Sequence, residues 1–150
     1  MLQRIYRGET QIDAPPDVVW AVLVDLPRYG EWNPFTTGVR SSLQVGDPVE
    51  LDVTMGGRTL QRVEYVRRVE RAVALDWGMQ MAGGLLLRAE RTQRLTAVDT
   101  GTRYVTEDLI RGPLTPIVAL TFGEALTRGF QSVAVALRDE VHRQQASVAR

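Results

Sequence analysis

The sequence contains no cysteine and no lysine, and it contains a single histidine, His142. Without cysteine the chain can form no disulfide, and a zinc or redox-metal site would have to rely on carboxylates. We therefore predict no metal and no other cofactor. His142 lies near the end of the last predicted helix, where we expect a surface or helix-dipole role rather than a role as a base.

The charges balance, because all 18 basic residues are arginine and the chain has 18 acidic residues. Nucleic-acid-binding proteins usually carry excess positive charge on one face, so no nucleic-acid partner is predicted. No apolar run approaches the roughly 20 residues that a membrane-spanning helix needs, and the stretch MLQRIYRGET lacks the apolar segment of a signal peptide. We expect a cytoplasmic protein without integral membrane association.

The chain also lacks the motifs of phosphate binding and of nucleophilic catalysis. Gly56-Gly57 and Gly83-Gly84 open no helix that could receive a phosphate, so we interpret both pairs as hairpin turns. With 150 residues, 44% of them hydrophobic, the chain can bury a sizeable core. We expect residues 1–150 to form a single domain.

The stretch from Asp13 to Phe35 is the most informative part of the sequence. Pro15 and Pro16 suit the first turn of a helix, and Pro27 is expected to end that helix. A second short helical turn should follow before Asn33-Pro34 breaks the chain again. This second turn presents three aromatic residues: Tyr29, Trp32 and Phe35.

Alternating apolar and polar residues predict that most of the remaining chain is β-sheet. The predicted strands are Gln3–Ile12, a weak strand or linker at Thr37–Leu43, Val49–Met55, Arg58 to about Val69, Val73–Met81, Leu85–Val98 and Thr102–Arg111. The register of the strand from Arg58 is ambiguous, because apolar residues occur on both of its faces, and a β-bulge would reconcile them. In the next strand one alternating face is expected to point inward: Val73, Leu75, Trp77, Met79 and Met81.

A long helix is predicted at the end of the chain. It should begin near Thr115, with that residue as its cap, and continue to about Gln145, followed by a frayed tail at 146–150. Gly123 and Gly129 interrupt it, and we expect them to allow close approach or bending near a cavity. An apolar stripe recurs at helical spacing: Leu126, Phe130, Val133, Leu137 and Val141.

Several of these segments together resemble the START-like superfamily, also called SRPBCC, of polyketide cyclases/dehydrases and lipid-transport proteins. The segments are DAPPDVVW and LPRYGEWNPF after a strand, Gly112 after a later strand, and Gly129-Phe130 in the last helix. The resemblance implies an α+β helix-grip fold. In that fold a curved seven-stranded antiparallel sheet wraps around a long C-terminal helix, two short helices follow strand 1, and a cavity lies inside.

The resemblance also implies which residues of the last two strands face inward. Those positions are Arg91, Gln93 and Leu95 on one strand and Tyr104, Thr106, Asp108 and Ile110 on its neighbour. An unpaired buried charge is costly, so we expect Asp108 to pair with Arg91. One slip of register would instead turn both side chains to solvent, and the polar set could also be purely structural.

If this polar set is functional, Arg91, Asp108 and Tyr104 are the catalytic candidates. Arg91 would bind a ligand carbonyl, enolate or carboxylate, Asp108 would act as acid or base, and Tyr104 would donate a proton. The resemblance places Arg68 near the position where the family's aromatase/cyclases have a strand arginine. We nevertheless expect Arg68 to be a solvated surface residue. The ligand-binding candidates are Tyr29, Trp32, Phe35, Arg62, Glu64, Trp77, Met79, Gln93, Thr106, Phe122 and Phe130.

Three classes of function remain open on the sequence. The leading interpretation is a monomeric or homodimeric protein that binds a small hydrophobic, aromatic or polyketide-like molecule, with cyclisation or dehydration by general acid-base chemistry as its candidate reaction. A non-catalytic carrier or sensor of a hydrophobic ligand is the second class. A co-chaperone-like interaction module is the third. Polar groups inside the cavity would favour a ligand with polar atoms over a pure lipid.

Overall fold

A curved sheet of seven antiparallel strands surrounds one face of a long C-terminal helix in the structure, a computed structural model that describes residues 2–149. The strands are β1 Gln3–Ile12, β2 Thr36–Ser41, β3 Pro48–Met55, β4 Arg58–Glu70, β5 Ala74–Met81, β6 Leu87–Val98 and β7 Gly101–Arg111. The helices are α1 Pro16–Leu23, α2 Tyr29–Trp32 and α3 Thr115–Val148, with 3-10 turns at Leu26–Arg28 and Ala82–Gly84. The α+β helix-grip prediction is confirmed.

The strand order is β1-β7-β6-β5-β4-β3-β2, so β1 and β2 are the two edges of the sheet. Every neighbouring pair is antiparallel, and consecutive strands from β2 to β7 are therefore joined by hairpins. The β3–β4, β5–β6 and β7–α3 connections consequently lie at one end of the sheet. The β2–β3, β4–β5 and β6–β7 turns lie at the opposite end.

The helix α3 packs its apolar stripe against the sheet. Leu126, Phe130, Val133, Leu137 and Val141 are all buried, as their helical spacing predicts. The close approach depends on glycine in β1, because a Cβ at Gly8 would lie 2.0 Å from the carbonyl oxygen of Phe130. None of the described helices is both long enough and apolar enough to cross a membrane.

The ends of the helices differ from the predictions. Helix α1 ends at Leu23, before Pro27, which instead lies within the 3-10 turn Leu26–Arg28. Thr115 is not a side-chain cap, because it is the first helical residue and its buried Oγ1 has no hydrogen-bond partner. Helix α3 continues to Val148, so most of the predicted frayed tail is helical, and Arg150 lies outside the described residues.

The register of β4 is resolved by an irregularity in its pairing with β5, between Val66 and Arg68. Arg62, Glu64 and Val66 lie on the inner face, whereas Val63 and Tyr65 are 52% and 45% exposed. The predicted inward face of β5 is wrong at both of its ends. Val73 and Met81 are each 39% exposed; Val73 precedes the strand and Met81 is its last residue.

Candidate functional site

A cavity of about 130 Å³ lies between the first half of α3 and the inner face of the sheet. Its wall is mostly apolar, with four ionisable side chains among the lining residues. The lining comprises Phe35, Thr36, Leu51, Val53, Met55, Arg62, Val63, Glu64, Trp77, Met79, Leu87, Ala89, Arg91, Asp108, Ile110, Val118, Phe122, Leu126 and Phe130. Fully formed sites for drug-sized ligands usually measure about 300–1,000 Å³, so this cavity matches a smaller ligand or has to widen.

Arg91 of β6 is a buried cation at the cavity wall, only 7% exposed. Its Nε donates to Thr106 Oγ1 and its Nη1 donates to Thr36 Oγ1, both at 3.3 Å. The guanidinium carbon lies 5.5 Å from the ring centroid of Trp77 and 5.0 Å from that of Phe130. Hydroxyls and aromatic faces therefore hold this cation.

The predicted ion pair between Arg91 and Asp108 is not formed. The two residues lie directly opposite each other on β6 and β7, and both line the cavity. Within residues 2–149, however, no carboxylate oxygen approaches the Arg91 guanidinium within 4.0 Å. The side chain of Arg91 extends instead toward Thr36 of β2, a residue 55 positions away in the sequence. The guanidinium is thus left without a neutralising partner in direct contact.

Two carboxyl groups share the cavity with Arg91. Burial raises the pKa of Glu64 to about 8, and the negative charge of Asp108 adds to that rise. Burial also raises the pKa of Asp108 to about 6, although the Arg91 guanidinium opposes this rise. Glu64 therefore retains its proton to a higher pH than Asp108 does.

Tyr104, Gln93 and Thr106 form a buried polar group on the inner face of the sheet, farther along β6 and β7, toward their connecting turn, than the cavity. Tyr104 Oη donates to Gln93 Oε1 at 2.6 Å, and each of the three residues is at most 1% exposed. Burial raises the pKa of Tyr104 above its ordinary value. None of the three is among the lining residues, although Thr106 reaches the site through its hydrogen bond from Arg91.

The predicted aromatic residues separate into two groups. Phe35, Trp77, Phe122 and Phe130 line the cavity, together with Met79. Tyr29 and Trp32 do not line it. Tyr29 is buried in the core near α1, where its hydroxyl donates to the carbonyl of Leu23 at 2.5 Å, and Trp32 packs against it with ring centroids 5.0 Å apart.

The remaining charged candidates also separate by face of the sheet. Arg62 and Glu64 line the cavity from β4, on the inner side of the strand. Arg68 lies beyond the irregularity in β4, is exposed and pairs with Glu70. His142 accepts a hydrogen bond from the backbone N–H of Asp13 at 3.0 Å, so its Nε2 is occupied by the start of the first loop.

Sequence reasoning did not identify most of the apolar lining, nor Thr36. A usable signal was present in α3, where Val118, Phe122, Leu126 and Phe130 recur every four residues and so share one face. No sequence pattern indicated Thr36, because it is 55 residues from Arg91 and the two meet only in the folded protein. Within residues 2–149, no group of three or more metal-ligating side chains is close enough to hold an ion.

A family model described as "Polyketide cyclase / dehydrase and lipid transport" matches residues 4–142 of this chain. This match covers most of the sheet and most of α3. A search of curated proteins found no match to the chain.

Several solved structures are similar over almost their full length. The Zhui aromatase/cyclase from Streptomyces sp. R1128 is 18% identical, with a TM-score of 0.78 and 96% of each chain covered. A protein from Mesorhizobium loti is 24% identical, with a TM-score of 0.68, covering 93% of this chain and 98% of the other. A Polyketide_cyc-like protein from Corynebacterium glutamicum is 17% identical, with a TM-score of 0.62 and coverage of 96% and 94%. At these identities the likeness shows the shared fold.

Proposed function

This chain belongs to the polyketide cyclase/dehydrase and lipid transport family, and we propose that it binds a small aromatic or polyketide-like molecule in the cavity under α3. The chemistry of the wall supports this proposal. Aromatic and aliphatic side chains form most of the lining, while Arg62, Glu64, Arg91 and Asp108 add charge in one part of it. A ligand that fits has a flat apolar body and at least one polar oxygen.

The buried guanidinium of Arg91 carries the proposal. It has two long hydrogen bonds to hydroxyl groups and no carboxylate in contact, so its charge is incompletely compensated. An oxygen atom of a ligand, such as a carbonyl that becomes an enolate, would supply the missing acceptor. Such an interaction strengthens as negative charge develops on the oxygen, which is the requirement for stabilising a transition state.

The reaction that this site supports best is a dehydration or a cyclisation by general acid-base chemistry. In a dehydration of a β-hydroxy ketone, Asp108 removes the proton α to the carbonyl while Arg91 holds the carbonyl oxygen. The protonated Glu64 then gives its proton to the β-hydroxyl group, which leaves as water, and the conjugated enone remains. The different pKa values of Asp108 and Glu64 favour these two roles at neutral pH.

Tyr104 takes a positioning role in this proposal instead of donating a proton. Its hydroxyl proton is engaged by Gln93 Oε1, and the phenol is buried beside the cavity without lining it. The hydrogen bond fixes the polar group to which Thr106 belongs and on which Arg91 rests. A group in that location orients the guanidinium and does not reach the ligand.

Turnover of a naphthyl-substituted β-hydroxy ketone tests the proposed reaction through the absorbance of the enone product. We expect Asp108→Asn and Arg91→Leu each to lower kcat/KM at least about 100-fold, the usual size of an acid-base or electrostatic contribution, with a nearly unchanged melting temperature. Glu64→Gln should have a comparable effect. Glu107→Gln is the matched control, because Glu107 is the chain neighbour of Asp108 on β7 but pairs with Arg7 outside the cavity. Wild-type rates in all three cavity variants would refute the acid-base mechanism.

Binding without turnover is the second candidate function, and the largely apolar wall favours it. A carrier needs the cavity but not the acid and base. Titration calorimetry with 2-naphthol separates the two functions. A carrier would bind this probe equally well in wild type and Asp108→Asn and would convert no ketone, whereas an enzyme loses turnover in that variant while retaining binding.

A further inference from the structure

Five large apolar side chains are exposed at the end of the sheet where the β5–β6 and β7–α3 connections lie. Leu85 and Leu86 follow the 3-10 turn after β5, Ile117 and Leu120 lie in the first two turns of α3, and Leu2 precedes β1. Their exposed fractions range from 41% for Leu86 to 80% for Leu85 and 90% for Leu120. Backbone hydrogen bonds connect these segments, since Leu114 N donates to Leu86 O and Gly112 N donates to Leu2 O.

Arginines without a carboxylate partner lie at the same end of the sheet. Six described arginines have no carboxylate oxygen within 4.0 Å, and four of them lie within the terminal two residues of a strand at this end: Arg4, Arg58, Arg88 and Arg111. Arg88 and Arg111 are directly opposite each other across β6 and β7. Like charges in facing positions repel, so this pair is unfavourable without an anionic partner.

The same two arginines border a surface depression of about 550 Å³ whose lining also includes Leu2 and Leu85. Apolar side chains and uncompensated positive charges are thus in one place, on a surface otherwise dominated by arginine–carboxylate pairs. We call these nine residues the Leu-Arg end: the five exposed apolar residues and the four arginines named above.

We propose that the Leu-Arg end docks on the surface of a bilayer that contains anionic phospholipid. The leucines project from a turn and from the start of a helix, so they can enter the interfacial region of a bilayer without any change of fold. The arginines around them would meet the phosphate and carboxylate groups of the lipids. An acidic protein surface is the alternative occupant, and the vesicle experiment below distinguishes it from a bilayer.

The docked surface would lie beside the cavity. Leu87, Ile110 and Val118 line the cavity, and each is the chain neighbour of a residue of the Leu-Arg end, namely Leu86, Arg111 and Ile117. Docking would therefore bring the cavity wall next to the apolar part of the bilayer. This proposal concerns where the protein binds and does not depend on whether the cavity performs a reaction.

Sedimentation of the full-length protein with lipid vesicles tests the proposal. We expect the protein to sediment with vesicles of phosphatidylcholine mixed with phosphatidylserine and to remain in solution with phosphatidylcholine alone. Raising the salt concentration toward 1 M should release it, because screening then acts over about 3 Å. Leu85→Ser with Leu120→Ser, and separately Arg88→Gln with Arg111→Gln, should each weaken binding at least about tenfold.

Matched controls make the same chemical changes elsewhere. Val45→Ser removes an apolar side chain that is 68% exposed at the opposite end of the sheet, and Arg71→Gln with Arg138→Gln removes two charges from other surfaces. These variants should sediment like wild type, and melting curves should show that all variants are folded. Failure of the wild type to bind phosphatidylserine vesicles, or equal loss in test and control variants, would overturn the proposal. If the wild type does not bind phosphatidylserine vesicles, an acidic protein becomes the partner to test.

Discussion

Glu64 and Asp108 line the same cavity, and burial raises the pKa of each carboxyl group. A carboxyl whose pKa is higher in the folded protein than in the unfolded chain binds its proton more tightly when folded. The folded state is therefore favoured below the ordinary pKa of the group, and this advantage is lost as the pH rises through the folded pKa. For Glu64 the window runs from its ordinary value of 4.5 to about 8.

We predict that the free energy of unfolding falls as the pH rises from 4.5 to 8, and that Glu64→Gln removes most of the decrease above pH 6. Below pH 6 the titration of Asp108 contributes in the same direction, because its pKa of about 6 is also raised. Urea unfolding at a series of pH values measures this dependence. Glu124→Gln, whose carboxylate is 84% exposed on α3, should keep the wild-type profile. A flat wild-type profile between pH 6 and 8 would contradict the prediction.

Helix α3 contains two glycines whose surroundings differ sharply. A Cβ built at Gly129 would lie 2.3 Å from the Cδ1 atom of Phe35, a residue of the cavity wall. A Cβ at Gly123 would lie 3.3 Å from the hydroxyl oxygen of Tyr6, the far end of a side chain that can adjust. Gly129 is therefore needed for the close approach of the helix to Phe35. At Gly123 a methyl group can be accommodated by a small movement of Tyr6.

Substituting alanine at the two glycines of α3 should therefore have opposite effects. Gly129→Ala should destabilise the protein by about 1–3 kcal/mol, because it overpacks the contact with Phe35 and displaces the ring. Gly123→Ala should be neutral or stabilising by up to about 1 kcal/mol, since alanine is favoured over glycine inside a helix. Urea unfolding of the two variants compares them directly. Equal stability changes would show that the Phe35 contact does not set the position of α3.

The cavity is the space that the whole molecule leaves between the curved sheet and α3. Ala89 faces this space from β6, where it lies opposite Met79 on one side and Ile110 on the other. Because the side chain of alanine is small, a larger apolar residue at this position would extend into empty volume. Filling an apolar void restores dispersion contacts that the lining atoms lack.

We predict that Ala89→Met leaves the free energy of unfolding equal to or above that of wild type and lowers the affinity for 2-naphthol at least about tenfold. Ala97→Met on the same strand, where the side chain is exposed, should change neither quantity. Calorimetric titration and urea unfolding supply the two measurements. Unchanged probe affinity in Ala89→Met would place the ligand outside this cavity.

The sequence by itself determined most of the architecture. Alternation along the strands, the prolines around α1 and the helical stripe of α3 are local patterns, and local patterns specify elements and the faces that they bury. They located β1, β6, β7 and α3 to within a few residues, and the resemblance to the family implied the helix-grip fold. The resemblance to the family supplied the inward positions of β6 and β7.

Only the tertiary structure decided how the polar groups combine. Whether Arg91 meets Asp108 or Thr36 depends on where β2, 55 residues away, reaches the site. Arg62 and Glu64 face inward because they pair with Leu51 and Val49 of β3, and the irregularity between Val66 and Arg68 changes the facing only of the residues beyond it. Ionisation, pairing and exposure are set by the distances between groups that lie far apart in the chain, and local periodicity contains no information about those distances.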